Sequence, residues 1–345
     1  MKSINVIVAG ATGYIGLQLI KLLTKHPFVN IKSICAQKSI GKNISNFDKY
    51  FKKYRKLPKI SLLTKKNFKN IDIIFTALPN GEAQKISKYL NSSTKLIDLS
   101  ADFRLSNYKL YEKCYNKKHY ARSLIKNSIY SIPELVNKDL KKYNIISCPG
   151  CYPTSIQIPI IPLINNKLIK TKNIIIDSKS GYSGAGKNLR KKFKYKNIYK
   201  SISAYGIGYH KHVSEIEQEI NKESNKGIKI IFTPHLTPMF RGILSTIYLD
   251  ISKNATPIKI HNYLKKYYKN ESFVKIKKFN IPIGTGEVMN TNFCHISICK
   301  SRFKNKILIL SAIDNLIKGG AGQAVQNLNL IYGFNKVLGL KQWNN

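Results

Sequence analysis

The chain has 345 residues, and its 59 Lys and Arg residues against 17 Asp and Glu residues give it a formal net charge of +42. The 43% hydrophobic content excludes a disordered chain, and the length predicts two domains. No apolar run approaches the ~20 residues needed to cross a bilayer, so we expect no membrane anchor. The apolar start runs directly into a glycine turn, which favours a first strand over a signal peptide and makes a cytoplasmic location the simplest expectation.

The positive charge raises the hypothesis of a nucleic-acid-binding protein. Only six of the 59 basic residues are Arg, and the lysines are spread along the whole chain among Asn, Ile and Tyr. No zinc-finger spacing or aromatic RNA-binding signature accompanies them. We therefore interpret the charge as a compositional bias on solvated surfaces and keep nucleic-acid binding as an alternative.

The first part of the chain alternates predicted strands and helices. Strands are predicted at 4–9, 31–36, 72–77 and 95–99, with helices at 14–26 and 82–90. This alternation is typical of a parallel sheet with right-handed crossovers. We predict a Rossmann-type doubly wound domain over residues 1–150.

The pattern changes after Cys151. A helix is predicted at 153–166, followed by longer strands at 173–179, 228–233, 243–251, 293–299 and 307–313, and by a closing helix at 315–332. Long strands with few helices favour a mixed or antiparallel sheet. We predict a second α+β domain for catalysis and dimerisation over 151–314, with the C-terminal helical segment 315–345 packing back on the first domain.

A glycine turn follows the first predicted strand. Gly10, Gly13 and Gly16 stand between that strand and the first helix, where small residues let the backbone approach a pyrophosphate. The GxxGxxG spacing is a variant of the usual dinucleotide fingerprint, and a simple tight turn is the alternative. No carboxylate follows the second strand, whereas Lys38 and Lys42 do, which favours NADP over NAD.

Cys151 precedes a predicted helix with Pro153 in its first turn. A helix N-terminus favours a thiolate, so Cys151 is the candidate nucleophile. The alternatives are a buried structural cysteine, a CxxC redox pair with Cys148, and a zinc site formed with Cys294 and Cys299. The candidate base lies in the His210-Lys-His212 segment, and either histidine has a packed or surface role as its alternative.

Seven motifs resemble one family in order along the chain. They are Gly10-Ala-Thr-Gly-Tyr-Ile-Gly16, Asp98-Leu-Ser-Ala-Asp-Phe-Arg-Leu105, Pro149-Gly-Cys-Tyr-Pro-Thr154, Asp177-Ser-Lys-Ser-Gly-Tyr-Ser-Gly-Ala-Gly186, His210-Lys-His212 with Glu215-Ile-Glu-Gln218, Thr233-Pro-His-Leu-Thr-Pro-Met239 with Arg241-Gly-Ile243, and Lys318-Gly-Gly-Ala-Gly-Gln-Ala-Val-Gln-Asn327. The chain is similar nearly end to end to the N-acetyl-γ-glutamyl-phosphate reductases of arginine biosynthesis. These reductases are part of the wider aspartate-semialdehyde dehydrogenase-like superfamily.

The resemblance implies an NADPH-dependent enzyme that reduces N-acetyl-γ-glutamyl phosphate to N-acetyl-glutamate 5-semialdehyde and phosphate. It makes Cys151 the nucleophile and His210, in preference to His212, the base. It implies two further groups of residues: cofactor contacts at Gly10, Thr12, Gly13, Tyr14, Ile15, Gly16, Lys38 and Gly184, and substrate contacts at Arg104, Ser180, Ser183, Lys187 and Arg241. It implies no metal, and a dimer or tetramer.

Two enzyme-related alternatives stay open at this point. One is a reductase of a related acyl phosphate, such as aspartyl phosphate or a carrier-bound aminoadipyl phosphate. The other is a non-catalytic relative, because the chain departs from the family pattern at positions such as Asn80, where the family often has His.

Overall fold

The computed structural model describes residues 3–187, 197, 199–224 and 227–340. These residues form two compact units. The first takes in the described residues up to Pro149 together with those from Gly320 onward, and the second takes in those from Gly150 to Gly319. Across the described ranges, no helix is long and apolar enough to cross a membrane.

The first unit is built on a seven-stranded sheet in which every neighbouring pair of strands is parallel. Its order is β3-β2-β1-β4-β5-β7-β6, with the strands β1 (Ile4–Ala9), β2 (Val29–Cys35), β3 (Ile60–Ser61), β4 (Ile73–Thr76), β5 (Lys95–Asp98), β6 (Ser128–Tyr130) and β7 (Ile145–Ser147). The helices of this unit are α1 (Tyr14–Leu23), α2 (Glu82–Ser87), α3 (Tyr108–Tyr115) and, near the end of the chain, α7 (Gly322–Tyr332). Helix α7 packs against α1 and β5.

The central strands of this sheet are buried on both faces. All four residues of β4 are buried, and so are five of the six residues of β1. Such continuous runs of Ile, Val and Phe are typical of parallel strands that are covered on both sides. The predicted doubly wound parallel sheet is confirmed.

The second unit is built on a mixed seven-stranded sheet of order β12-β13-β14-β11-β8-β10-β9. Its strands are β8 (Ile174–Gly181), β9 (Ser203–Ala204), β10 (Ile230–Thr237), β11 (Ile243–Asp250), β12 (Val274–Ile276), β13 (Cys294–Lys300) and β14 (Lys306–Ile313). Its helices are α4 (Cys151–Asn165), α5 (His212–Ser224) and α6 (Pro257–Tyr267). The pairs β8–β10 and β12–β13 are parallel and the others are antiparallel, which confirms the mixed sheet.

Burial alternates along the long strands of the mixed sheet. In β8, Ile174 and Ile176 are buried, whereas Ile175 is 40% exposed. Helix α4 packs on β11 and β14, α5 packs on β10, and α6 packs on β13, so the helices cover the buried face. The other face of this sheet is left open within the described residues of the unit.

Two predicted helix ends differ from the structure. Helix α4 begins at Cys151 rather than at Pro153, because Gly150, with the extended backbone angles φ −69° and ψ 161°, takes the N-cap position. The closing helix begins at Gly322, and a π-helical turn, Ile317–Ala321, occupies the start of the predicted segment. Residues 341–345 of the predicted C-terminal segment lie outside the described residues.

Candidate active site

The glycine turn after β1 requires glycine at two positions. Gly10 has φ +85°, and a Cβ built on it would lie 2.2 Å from the carbonyl oxygen of Ala77, just beyond β4. A Cβ on Gly16 would lie 2.3 Å from the carbonyl oxygen of Gly10. Side chains are therefore excluded where the backbone folds most tightly, and Gly13 is the N-cap of α1. Thr12 lies in this turn, and Tyr14 and Ile15 form the first turn of α1.

This turn lies at the point where the strand order reverses. From β1 the sheet continues to β2 and β3 on one side and to β4 and β5 on the other. In open α/β sheets, ligands bind outside the carboxyl ends of the strands at such a point. A cavity of about 290 Å³ opens there, and its lining includes Gly10, Gln37, Leu63, Leu78 and Tyr89.

The charge around this cavity is consistent with the NADP preference expected from the sequence. Strand β2 ends at Cys35, and Gln37, rather than an acid, lines the cavity beyond it. Lys38 follows and is exposed. Among the described residues that line the cavity, Glu82 is the one carboxylate, and Lys85 pairs with it at 2.7 Å. The tight glycine turn, the helix N-terminus and the missing acid all fit a dinucleotide that carries a 2′-phosphate.

In the second unit, Cys151 is the first residue of α4 and is half-buried. The first turn of this helix contributes the amides of Cys151 and Tyr152, because Pro153 has no N–H. The positive end of the helix dipole favours a thiolate at this position. Gly319 lies against it, since a Cβ on Gly319 would be 2.7 Å from the Cβ of Cys151.

Tyr152, the residue after the candidate nucleophile Cys151, contacts both Tyr205 and His210. Its side chain is buried, and its hydroxyl lies 3.0 Å from the hydroxyl of Tyr205. Burial, together with the hydroxyl and charge of Tyr205 and the charge of Cys151, raises the pKa of Tyr152 well above its usual value, while a hydrogen bond with Ser180 opposes that rise. Burial and Cys151 likewise raise the pKa of Tyr205. Both phenols therefore stay protonated and can donate hydrogen bonds beside the thiol.

The imidazole of His210 lies beside Tyr152 and Tyr205. Its ring centroid is 5.5 Å from the rings of Tyr152 and Tyr205 and 4.9 Å from the ring of His212. The Nδ1 atom accepts a hydrogen bond of 3.2 Å from the backbone N–H of His212. Burial lowers the pKa of His210 to about 4, with a smaller contribution from the charge of Lys211. The neutral ring therefore carries its proton on Nε2, because an N–H can only donate to an unprotonated Nδ1.

Arg241 is held by a buried carboxylate. Its Nη1 atom lies 3.0 Å from Oδ2 of Asp314, which is fully buried, and 2.6 Å from Oδ1 of Asn290. The other oxygen of Asp314 accepts the N–H groups of Leu316 and Ile317, at the start of the π-helical turn that contains Gly319. This carboxylate therefore links Arg241 to the segment that packs on Cys151.

The residues between 180 and 186 that are predicted to contact substrate or cofactor lie close to the Asp314–Asn315 segment. Ser183 accepts a hydrogen bond of 3.0 Å from Nδ2 of Asn315, the residue after Asp314. A Cβ on Gly184 would lie 3.1 Å from Oγ of Ser180, so the turn is tight at this glycine. Lys187 follows the turn and is exposed. Ser180, Ser183 and Gly184 are therefore grouped by the turn, and their ligand contacts stay predictions.

Arg104 and Cys148 lie in the first unit. The guanidinium of Arg104 is buried and donates to the carbonyl oxygens of Cys148 and Leu99 at 2.8 and 3.0 Å. Burial raises the pKa of Cys148 to about 12, and Nδ2 of Asn327 lies 3.5 Å from its sulfur. Cys148 is thus an inert buried thiol, which disfavours a CxxC redox pair. In the described ranges, no group of three or more His, Cys, Asp or Glu side chains is placed to hold a metal.

Sequence reasoning missed several residues of this cluster as site residues. Tyr152 and Tyr205 lie beside the thiol and the imidazole, Glu215 bonds to the residue before Cys151, and Asp314 and Gly319 fix the segment beside the thiol. All except Tyr205 and Asp314 stand inside the motifs named above. Their roles depend on contacts between distant segments, which spacing along the chain does not reveal.

Two family models divide the chain between them. The model described as "Semialdehyde dehydrogenase, NAD binding domain" matches residues 5–143, and the one described as "Semialdehyde dehydrogenase, dimerisation domain" matches residues 151–315. The N-acetyl-gamma-glutamyl-phosphate reductase of Clostridium novyi is 40% identical, over 98% of both chains. The probable chloroplastic N-acetyl-gamma-glutamyl-phosphate reductase of Arabidopsis thaliana is 39% identical over 98% of this chain and 84% of its own length. The chain belongs to the N-acetyl-γ-glutamyl-phosphate reductase family.

Membership of this reductase family agrees with the fold seen in solved structures. The structure titled aspartate semialdehyde dehydrogenase with NADP from Candida albicans matches with a TM-score of 0.70, covering 96% of this chain and 99% of that one. At 17% identity, this likeness shows the shared fold only. The family resemblance expected from the seven motifs is confirmed.

Proposed function

We propose that this chain is an NADPH-dependent N-acetyl-γ-glutamyl-phosphate reductase of arginine biosynthesis, which forms N-acetyl-glutamate 5-semialdehyde and phosphate through a thioester on Cys151. The observation that carries the proposal is the position of Cys151 as the first residue of α4, beside the buried Tyr152 and the half-buried Tyr205 and His210. Relatives with this activity in their names match over almost the full chain at 38–41% identity.

The chain's own groups account for the covalent steps. The Cys151 thiolate attacks the γ-carbonyl carbon, a C–S bond forms, and the C–O bond to the phosphate breaks to release inorganic phosphate. The amides of Cys151 and Tyr152, at the start of α4, would stabilise the oxyanion that develops during this attack. NADPH, when bound, supplies the hydride that reduces the thioester. Hydride addition to the thioester gives a thiohemiacetal alkoxide on Cys151, and its collapse breaks the C–S bond, releases the aldehyde and returns the thiolate.

His210 is best suited to donate a hydrogen bond in this reaction. Its neutral ring presents Nε2–H, because Nδ1 accepts the N–H of His212. Only the other tautomer could take the thiol proton at Nε2, and forming it would break the bond from His212. The N-terminus of α4, rather than His210, would stabilise Cys151 as a thiolate. We therefore propose that His210 polarises the reacting oxygen, while the base role implied by the family resemblance stays a prediction.

The cofactor is proposed to bind the first unit. The turn from Gly10 to Gly16 would approach the pyrophosphate, and the cations after β2, Lys38 first, would face a 2′-phosphate. A ribose that carries a 2′-phosphate does not need a carboxylate contact, and Gln37, just beyond the end of β2, has no charge.

Purified protein tests the proposed function directly. With N-acetyl-glutamyl phosphate as substrate, we expect NADPH oxidation. In the absence of NADPH, the intact mass should rise by one acyl group located on Cys151. Cys151→Ser should lose at least about 1,000-fold in kcat and keep its affinity for NADPH, because only the nucleophile is removed. Full activity in this variant would rule out the covalent step.

A panel of related acyl phosphates distinguishes the substrate alternatives. Faster turnover of aspartyl phosphate or of a carrier-bound aminoadipyl phosphate would show that the faster substrate is the preferred one. Salt-dependent binding of DNA or RNA, without any acyl adduct, would favour the nucleic-acid alternative. The cytoplasmic location expected from the sequence also stays a prediction.

We also propose that the open face of the mixed sheet pairs with a second copy of the chain. On this face, Ile231 of β10 lies opposite Ile175 of β8, and Ile175 lies opposite Tyr248 of β11. These three side chains are 60%, 40% and 40% exposed, and they form an apolar row across three strands. The matching family model for 151–315 is described as a dimerisation domain, which supports a second copy as the occupant.

A further inference from the structure

Helix α5 carries a fully buried carboxylate that contacts the start of α4. Glu215 lies in the first turn of α5 and is 0% exposed. Its Oε1 atom accepts a hydrogen bond of 2.7 Å from the backbone N–H of Gly150. Gly150 is the N-cap of α4, so this bond is made to the residue immediately before Cys151.

The same residue contacts α4 a second time. Its backbone carbonyl oxygen accepts a hydrogen bond of 3.2 Å from Nε2 of Gln157, which is buried about two turns into α4. The two bonds from Glu215 therefore reach α4 at its N-cap and within its body. Two such points fix both the position and the rotation of one helix relative to another.

The imidazole of His210 is tied to the same end of α5. Its Nδ1 atom accepts the N–H of His212, the first residue of α5, and the N–H of Val213 donates to the carbonyl oxygen of His210 at 2.9 Å. The segment that holds His210 is thus an extension of the helix that holds Glu215. A shift of α5 along α4 would move the imidazole relative to the sulfur.

We propose that Glu215 is a positioning residue that holds the Cys151 nucleophile and the His210 imidazole at their working separation. It does so by accepting the N–H of Gly150, and it does not itself contact the substrate. The proposal rests on the proposed function only for its kinetic readout, because the reactivity of the Cys151 thiol is measurable without any substrate.

The test compares two substitutions at Glu215. In Glu215→Ala the acceptor is lost, and the start of α4 is released. A misplacement of about 1 Å between reacting groups costs on the order of 100-fold in rate, so we expect kcat to fall about 100-fold with KM within about threefold of wild type. In Glu215→Gln the amide oxygen can still accept the N–H of Gly150, so kcat should stay within about fivefold of wild type.

The second readout is the alkylation of Cys151 by iodoacetamide, followed by peptide mass analysis. The rate should change at least about threefold in Glu215→Ala and should return close to the wild-type value in Glu215→Gln. Because alkylation requires no acyl phosphate, an inactive wild-type protein would contradict the proposed function while leaving this measurement intact.

Glu217→Ala is the matched control. Glu217 lies on the same helix, and its carboxylate also accepts a backbone N–H, that of Ile230 at 3.0 Å, which starts β10. This variant should keep wild-type kcat and alkylation. A general loosening of α5 would affect both variants alike and would overturn the positioning role.

Two further outcomes would overturn the proposal. One is a Glu215→Ala protein with wild-type kcat and wild-type alkylation. The other is a Glu215→Gln protein as impaired as Glu215→Ala, which would show that the charge, and not the bond to Gly150, is required. If Glu215→Ala does not fold, Glu215→Gln still decides, since it must keep both kcat and alkylation near wild type.

Discussion

At the scale of single residues, two unlike environments set the chemistry of the cysteines. Cys148 is fully buried, and burial raises its pKa to about 12, whereas Cys151 is half-buried at the positive end of α4. The two stand three positions apart in the sequence, so the difference comes from the helix that begins at Cys151 and from the deeper burial of Cys148.

His210 is expected to make stability depend on pH. The pKa of His210 is lowered to about 4 in the folded chain, against about 6.5 when unfolded. Between these values the unfolded chain binds a proton that the folded chain does not, so stability falls as pH drops from about 6.5 to 4. We expect wild type to lose up to about 3 kcal/mol more than His210→Gln over this range.

Urea denaturation at pH 7.5 and at several values down to pH 4.5 measures this difference. Burial also lowers the pKa of His26, His119 and His295, but these residues are present in both proteins and cancel. The same loss of unfolding free energy in wild type and His210→Gln would contradict the lowered pKa of the His210 imidazole.

Lys38 is expected to select NADPH over NADH. It is exposed directly after the cavity residue Gln37, and no carboxylate competes with it at the end of β2. In Lys38→Glu, repulsion of the 2′-phosphate should raise the Kd of NADPH about 10-fold and leave that of NADH nearly unchanged. Fluorescence titration measures both values. Lys52→Glu, an equal charge change at an exposed lysine elsewhere in the unit, should affect neither Kd.

At the scale of elements, the π-helical turn before α7 accounts for a helix that begins later than the sequence predicts. Its Gly319 approaches Cys151 so closely that a Cβ on Gly319 would meet the Cβ of Cys151 at 2.7 Å and its Cα at 3.1 Å. The N–H of Gly319 bonds to the carbonyl oxygen of Asp314 at 3.0 Å, five residues back. Such π-turns are frequent at functional sites, and here the turn shapes one wall beside the thiol.

Gly319→Ala is expected to impair the site. The added methyl group must displace either the π-helical turn or the start of α4, since the atoms it meets belong to Cys151 near its backbone. We expect kcat to fall at least about 10-fold and stability to fall by about 1–3 kcal/mol. Steady-state kinetics and thermal unfolding measure the two effects.

Gly284→Ala provides the comparison for this glycine. A Cβ at Gly284 would meet no atom within 4 Å, and the residue has an ordinary φ of −131°. Both kcat and stability should therefore stay near wild type. A Gly319→Ala protein that behaves like Gly284→Ala would show that the close approach of Gly319 to Cys151 is not required for activity or stability.

At the scale of the whole molecule, the two sheets differ in how many of their faces are buried. The parallel sheet buries its central strands on both sides, whereas the mixed sheet buries one face under α4, α5 and α6 and leaves the other open. An apolar row on an open sheet face is an unusual feature for a monomer. This asymmetry is the physical basis for the proposed dimer.

Ile231→Lys is expected to weaken that dimer. Ile231 is 60% exposed and lies at one end of the apolar row beside Ile175, so a buried cation would replace apolar contact with a second copy. Light scattering coupled to size-exclusion chromatography should show a shift toward monomer. Ile258→Lys, at a 49% exposed isoleucine on α6, should keep the wild-type mass. Equal masses for all three proteins would contradict the proposed interface.

Much of the fold could be predicted because its signals are local. The strands of the parallel sheet are short runs of β-branched residues, and β1 extends from Ile4 to Ala9 as predicted. Short strands such as β6 and β9 are not predicted, since they contain too few residues for a periodic pattern. The start of α4 was placed two residues too late, because Pro153 suits the first turn but does not say how many residues precede it.

The sequence by itself determined the family, the two sheet types and the glycine turn, because these depend on residues that are close together in the chain. Only the tertiary structure decided which groups surround Cys151. Glu215 reaches Gly150 across 65 positions, and Asp314 reaches Arg241 across 73. Such contacts depend on how helices and strands pack, and packing joins segments whose separation along the chain carries no signal of their final distance.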